Sequence, residues 1–300
     1  MSRGVARVSQ QALKKRFHHF REGKTEILIA PHFLERLQQA GIERVGEVIE
    51  RAEIDPCRGG RRGLRVFCPD GVASHRCVVR PYAHGGLLRR LLGDRFLLGS
   101  RPFREMRITE EIRSRGIPTV QVLASIIHRL WGPFYRGELI TREIHQATDL
   151  ASLSIAFGDH SKTDLSLRWS TARQAGRAVR LMHDQGIYHG DLNLKNLLVQ
   201  REGHGDPIVY VIDFDRSKVL KSLSTRHRIK NLLRLNRSAE KWKTRGACIT
   251  YTDKARFFRA YAGGDPKIVR AMKDRLKRVR VRALWHRVGW RTDRLLNPPD

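Results

Sequence analysis

The spacing of apolar residues changes once along the chain. In the first half the apolar positions come in short, strand-like runs. Thr25–Ala30 alternates, and Leu64–Cys68 and Cys77–Arg80 read as two further strands joined by turn chemistry at Pro69-Asp70-Gly71. Phe33, Leu34, Leu37, Ile42, Val45, Val48 and Ile49 recur at three- and four-residue steps, which predicts a helix over 33–51. A charged helix is predicted over 102–115, stopped by Gly116 and Pro118, followed by candidate strands at Thr119–Leu123 and Leu139–Ile144. The second half is dominated by the helical period. Asp164–Gln185 carries Leu165, Trp169, Ala172, Ala175, Val179 and Met182 on one face and ends at Gly186, a residue suited to the left-handed position after a helix. Two short apolar runs follow, separated by a turn over 202–207, and from Ser224 onward the chain reads as helical and very basic. The expectation is one α+β enzyme of two lobes, with a hinge near residues 142–150.

Composition narrows the class. Fifty-nine Lys and Arg face thirty Asp and Glu in 300 residues, a formal net charge of +29. The surplus predicts a polyanionic partner, and 40% hydrophobic content is enough for a real core. Cys57, Cys68, Cys77 and Cys248 form no C-x-x-C pair, so a zinc ribbon or a thioredoxin-like site is not expected and reduced thiols are. The basic N-terminal stretch has no apolar run behind it and does not read as a secretory signal. No run approaches the length of a membrane-spanning helix; Val120–Ile127 is the best and far too short.

The candidate chemistry lies in His189-Gly190-Asp191-Leu192-Asn193-Leu194-Lys195-Asn196 and in Asp213-Phe214-Asp215, 22 residues after Asp191. Phosphoryl transfer needs a carboxylate to orient the acceptor hydroxyl, and oxygen donors to hold the cation that bridges the phosphates. Asp191 fits the catalytic role, while Asn196 and Asp213 fit as Mg²⁺ ligands, set side by side by a hairpin of Leu197–Val199 with Ile208–Ile212. The pattern matches H-x-D-x-x-x-x-N with D-F-x of the protein kinases. His189 is assigned a bracing role and no chemistry. For nucleotide binding, Gly59, Gly60 and Gly63 are candidates for a phosphate-cradling loop. No lysine lies between Lys24 and Lys162, so Arg80 in Val78-Val79-Arg80 takes the place of the usual phosphate-binding lysine. Its partner on the following helix is Glu105, with Glu110 and Glu111 as rivals. Adenine is expected against the main chain of 142–144, which includes Glu143 and Ile144.

Beyond the general signature, the chain resembles the lipopolysaccharide-core sugar kinases, the 3-deoxy-D-manno-octulosonic acid (Kdo) kinase branch above all. The resemblance rests on Arg80-Pro81-Tyr82-Ala83-His84-Gly85-Gly86-Leu87, Asp94-Arg95-Phe96, Arg101-Pro102-Phe103-Arg104-Glu105, Tyr188–Asn196, Val211–Arg216 and Asn231-Leu232-Leu233-Arg234-Leu235, and spans about residues 57–262. It implies a bilobal eukaryotic-protein-kinase-like fold, with a small antiparallel-sheet N-lobe and a mainly helical C-lobe. It also implies transfer from ATP with Mg²⁺ to a hydroxyl of Kdo in the lipid A–Kdo precursor, at the cytoplasmic face of the inner membrane. The expected division is a basic arm over 1–24, an N-lobe over 25–144 and a C-lobe over 145–300 ending in basic helices.

Much of the charge is expected to meet an anionic membrane surface. Gly85–Arg95 sets four leucines beside three arginines, and Arg226–Lys243 and Lys267–Arg294 are denser still. Nucleic acid is not the expected partner, because no recognition-helix or RNP pattern accompanies the charge. A heptose kinase of the same superfamily, an atypical Ser/Thr protein kinase and a non-catalytic basic scaffold stand as alternatives.

Overall fold

A computed structural model describes residues 17–55, 64–69, 71–72, 75–83, 93–158, 164–201, 203, 205–275 and 277. The N-lobe is built on one antiparallel sheet, formed by β1 (His18–Glu22), β2 (Thr25–Ile29), β3 (Glu53–Asp55), β4 (Leu64–Phe67), β5 (Cys77–Pro81), β6 (Phe96–Leu97), β7 (Val122–Arg129) and β8 (Phe134–Arg142). The order across it is β1-β2-β7-β8-β5-β4-β3, with β6 also paired to β8. Alternation along the strands gives the sheet two apolar faces. Ile27, Ile29, Val79 and Ile140 meet Phe33 and Leu37 of α1 (Pro31–Gln39) and Val45 and Val48 of α2 (Val45–Arg51) on one side. Leu28, Tyr82 and Leu139 meet Phe103 and Met106 of α3 (Arg101–Ser114) on the other. Arg80, next to Val79 in β5, therefore falls on the α3 side.

Four sequence expectations are revised. The segment 33–51 is two helices, because Gly41 adopts a left-handed φ of 69° between them. The short strands expected at 119–123 and 139–144 are a long hairpin instead. Its first strand is buried over Val122–Ile127, hence on both faces, and so shows no alternation. Within the expected arm, His18–Glu22 forms strand β1, paired residue by residue with β2; all five residues are exposed, so no apolar pattern marks it. Leu165 and Trp169 lie at the solvent end of α5 (Leu165–Asp184) at 52% and 38% exposure, whereas Ala175, Val179 and Met182 enter the core as expected.

From β8 the chain crosses to the C-lobe through 143–147, β9 (Thr148–Asp149) and α4 (Leu150–Ala156). Asp149 caps α4 by accepting from the amides of Ala151 and Ser152. The C-lobe contains α5, β10 (Ile187–Tyr188), β11 (Leu197–Gln200), β12 (Ile208–Val211), β13 (Lys218–Val219), α6 (Thr225–Lys243), α7 (Tyr251–Ala262) and a helix over 266–275. α3 belongs to both lobes: Phe103 and Met106 pack on the sheet, while Ile112 is fully buried in the helical core with Val179, Leu192 and Phe214. Among the described residues no helix is long and apolar enough to cross a membrane.

Candidate active site

The main chain of the loop from His189 to Asn196 is held mostly by side-chain partners. Gly190 permits the closest approach, since a Cβ there would lie 2.3 Å from the Arg216 carbonyl oxygen. The His189 ring is fully buried; its Nε2 lies 3.0 Å from the Ile212 carbonyl and its Nδ1 accepts from the Asp191 amide at 3.0 Å. This pair of bonds requires the neutral ring protonated at Nε2, and burial lowers the pKa in the same sense. From α6, the buried Asn231 accepts from the His189 amide and donates to the His189 carbonyl, at 3.1 and 2.9 Å. Its amide oxygen also takes His183 Nε2 at 3.1 Å, and His183 Nδ1 takes the Tyr261 hydroxyl at 2.7 Å. Burial pushes the His183 pKa down to about 3, so this relay is neutral.

Asp191 presents its carboxylate outward, with 58% of the side chain exposed, while its carbonyl accepts from Asn193 Nδ2 at 3.0 Å and Asn196 Nδ2 at 2.9 Å. Because the Asn196 amide nitrogen is spent on that carbonyl, its Oδ1 is the atom left to face a cation. Pairing of Leu197 with Val211, and of the Ile212 amide with the Asn196 carbonyl at 3.0 Å, brings Asn196 beside Asp213. Asp213 adopts a left-handed φ of 67° as it leaves the hairpin. An amide oxygen and a carboxylate are hard oxygen donors, a set that fits Mg²⁺ completed by phosphate oxygens and water.

Across the cleft, Arg80 meets Glu105 at 2.5 Å and Asp213 at 3.5 Å. The Tyr82 hydroxyl donates to the other Glu105 oxygen. Burial opposes the charge on Arg80, but Glu105 and Asp213 outweigh it and hold the guanidinium above its ordinary pKa. Burial likewise pushes Glu105 up, and Arg80 opposes that; with a donor on each oxygen, Glu105 is read as the carboxylate. Arg101, at the start of α3, pairs with Asp215.

Of the expected residues, Arg80, Glu105 and Asp213 form one ion-paired cluster, and Asp191, Asn196 and Asp213 share the cleft floor. The rivals of Glu105 are engaged elsewhere: Glu110 with Arg113 and the Val122 amide, and Glu111 with Arg115. Glu143 and Ile144 follow β8 in the crossing segment. The Glu143 amide already donates to the Arg76 carbonyl at 2.9 Å and its side chain pairs with Arg76, so it offers neither to a nucleotide. Gly59, Gly60 and Gly63 lie outside the described residues. Tyr82, Arg101, Asp215, Asn231 and Arg234 complete the site although no spacing singled them out. Their signal is that each lies inside one of the sequence blocks quoted above, without a role that local pattern could assign. A cavity of about 550 Å³ in the C-lobe, lined by Leu194, Leu232, Phe257 and Met272 among others, contains none of the candidate catalytic or metal-binding residues.

The model of the lipopolysaccharide kinase (Kdo/WaaP) family matches residues 58–261. A 3-deoxy-D-manno-octulosonic acid kinase of Xanthomonas euvesicatoria pv. vesicatoria is 33% identical over 232 residues, 76% of this chain and 86% of that protein. One from Stenotrophomonas maltophilia is 31% identical over 234 residues, with the same shares. Among solved structures, WaaP in complex with acyl carrier protein superposes with a TM-score of 0.52 at 18% identity, covering 84% of this chain and 98% of that one. That likeness supports the bilobal kinase-like fold. The chain belongs to the lipopolysaccharide kinase (Kdo/WaaP) family, and it is a phosphotransferase with a hydroxyl acceptor.

Proposed function

We propose that the protein transfers the γ-phosphate of ATP to a hydroxyl of Kdo in a lipid A–Kdo precursor. The observation that carries the reading is the convergence of Asp191, Asn196, Asp213 and Arg80 on one cleft, in a chain whose relatives bear the Kdo kinase name. Bound Mg²⁺, held by Asn196 and Asp213, would neutralise charge on the transferred group. Asp191 accepts the proton of the acceptor hydroxyl as its oxygen bonds to phosphorus and the bond to the ADP oxygen breaks. His189, neutral and buried, holds the Asp191 amide and so the loop. Arg80 gives the nucleotide phosphates a planar, permanently charged fork, oriented by Glu105. Adenine is placed against the main chain of the crossing segment, at Ile144 rather than at the engaged Glu143 amide.

The acceptor is a glycolipid, and the reading places the enzyme peripherally on the cytoplasmic face of the inner membrane. The +29 charge supports this, at roughly 1 kcal/mol for each Lys or Arg near an anionic leaflet. The test incubates purified protein with ATP, Mg²⁺ and Kdo-lipid A and reads the product by mass spectrometry. One added phosphate on the Kdo is expected. Asp191→Asn should lower kcat roughly 10²–10⁴-fold while nucleotide binding persists. Phosphate found only on a heptose, or only on added protein, would overturn the assignment in favour of the corresponding kinase.

A further inference from the structure

Among the described residues, Arg234 is the cation that forms an ion pair with Asp191. It reaches from α6 to donate through Nη1 to the Gly190 carbonyl, and its Nε lies 3.6 Å from Asp191 Oδ1. That second distance is an ion pair and too long for a hydrogen bond, so the main chain, rather than Asp191, anchors the guanidinium. Forty percent of the side chain remains exposed, and one anchored N–H leaves several of its five donors for a ligand.

Arg234 also sits within an exposed basic stripe. Arg226, Lys230, Arg237 and Lys241 recur at helical steps along α6 on the same side, all exposed. Among the described residues no carboxylate pairs with any of these four. Lys195 of the loop holds its ammonium 5.3 Å from the centre of the ring of Trp242, the residue after Lys241 in α6. A sugar whose hydroxyl reached Asp191 would lie within reach of Arg234, whose Nε is 3.6 Å from that carboxylate.

We propose that Arg234 is a specificity-determining residue that binds the acceptor's own carboxylate through its guanidinium fork, so that the reacting sugar must be an acid. The inference rests on the Kdo reading above, since that sugar carries a carboxylate on the ring that bears its hydroxyls. A forked guanidinium matches a carboxylate in two parallel hydrogen bonds, and a neutral sugar leaves those donors unpaired. The stripe concentrates the anionic glycolipid at the cleft without choosing among sugars.

The test is an equilibrium titration of Kdo-lipid A, and of the same glycolipid with its Kdo carboxylates converted to methyl esters, into the full-length protein in neutral detergent. The wild type should bind the acid at least tenfold more tightly than the ester. Arg234→Gln should bind both about as weakly as the wild type binds the ester. Arg234→Lys, which keeps the charge without the fork, should show a preference reduced several-fold, and it carries the test if the Gln variant does not fold. Equal binding of acid and ester by the wild type, or an undiminished preference in both variants, overturns the inference. Turnover is scored separately. A wild type that prefers the acid but never phosphorylates it sinks the Kdo reading alone, and one that phosphorylates acid and ester with equal affinity sinks the role of Arg234 alone.

Discussion

Arg80 joins three elements through one side chain: its own strand β5, α3 through Glu105, and the end of β12 through Asp213. A lysine ammonium is a compact point charge and cannot meet both carboxylates with the same planar geometry. Arg80→Lys should therefore fold, yet lower kcat/KM for ATP by at least tenfold, through KM more than through kcat. Steady-state kinetics at varied ATP checks this, and unchanged constants would remove Arg80 from the phosphate site. Choosing Glu105 over Glu110 and Glu111 required tertiary information, because all three lie on the one helix. The partners decide it, since Glu110 is nearly as buried as Glu105: Glu105 takes Arg80 and Tyr82 at the end of β5, while Glu110 takes Arg113 and the Val122 amide and Glu111 is paired along its own helix.

At the scale of elements, the catalytic loop and its hairpin were legible because their geometry is local. Asp191 and Asn196 are five residues apart on one loop, and the pairing of β11 with β12 sets Asp213 from a short turn. Of β7, only Val122 and Leu123 fall within an expected strand, because burial on both faces removes the alternation that would mark the rest. β1 carries no apolar mark for the opposite reason, being exposed throughout and held by main-chain pairing to β2. The close fit of the loop against Arg216 is testable. Gly190→Ala places a Cβ 2.3 Å from a carbonyl oxygen, so the backbone must shift. Overpacking of this kind costs about 1–3 kcal/mol. The variant should melt several degrees lower and lose most of its activity, because the displaced segment carries Asp191. Thermal denaturation and turnover on the same sample check both effects.

For the whole molecule, buried neutral histidines set an acid limit on stability. His183 has a pKa of about 3 in the fold against an ordinary value of 6.5, so between these values it takes up a proton only on unfolding. Its contribution is therefore complete above about pH 6.5 and is lost as pH falls toward 3, by at most ~1.4 kcal/mol per pH unit. Between pH 7 and pH 5 this residue alone should remove about 2 kcal/mol, and the lowered pKa of His189 acts in the same direction. Denaturant melts at the two pH values measure the loss, and His183→Gln should reduce its slope even though the variant starts less stable.

The position of α3 in two cores has a mechanical consequence. The helix is tethered at its first turn by Arg101 to Asp215, next by Glu105 to Arg80, and near its end by Ile112 among C-lobe side chains. Swinging it would break all three attachments together, so it makes a poor lever. Amide hydrogens over Met106–Ile112 should accordingly exchange as slowly as those in the middle of α5, which exchange mass spectrometry can read. With α3 held in this way, Glu105, Arg80 and Asp213 stay together without any movement of the helix.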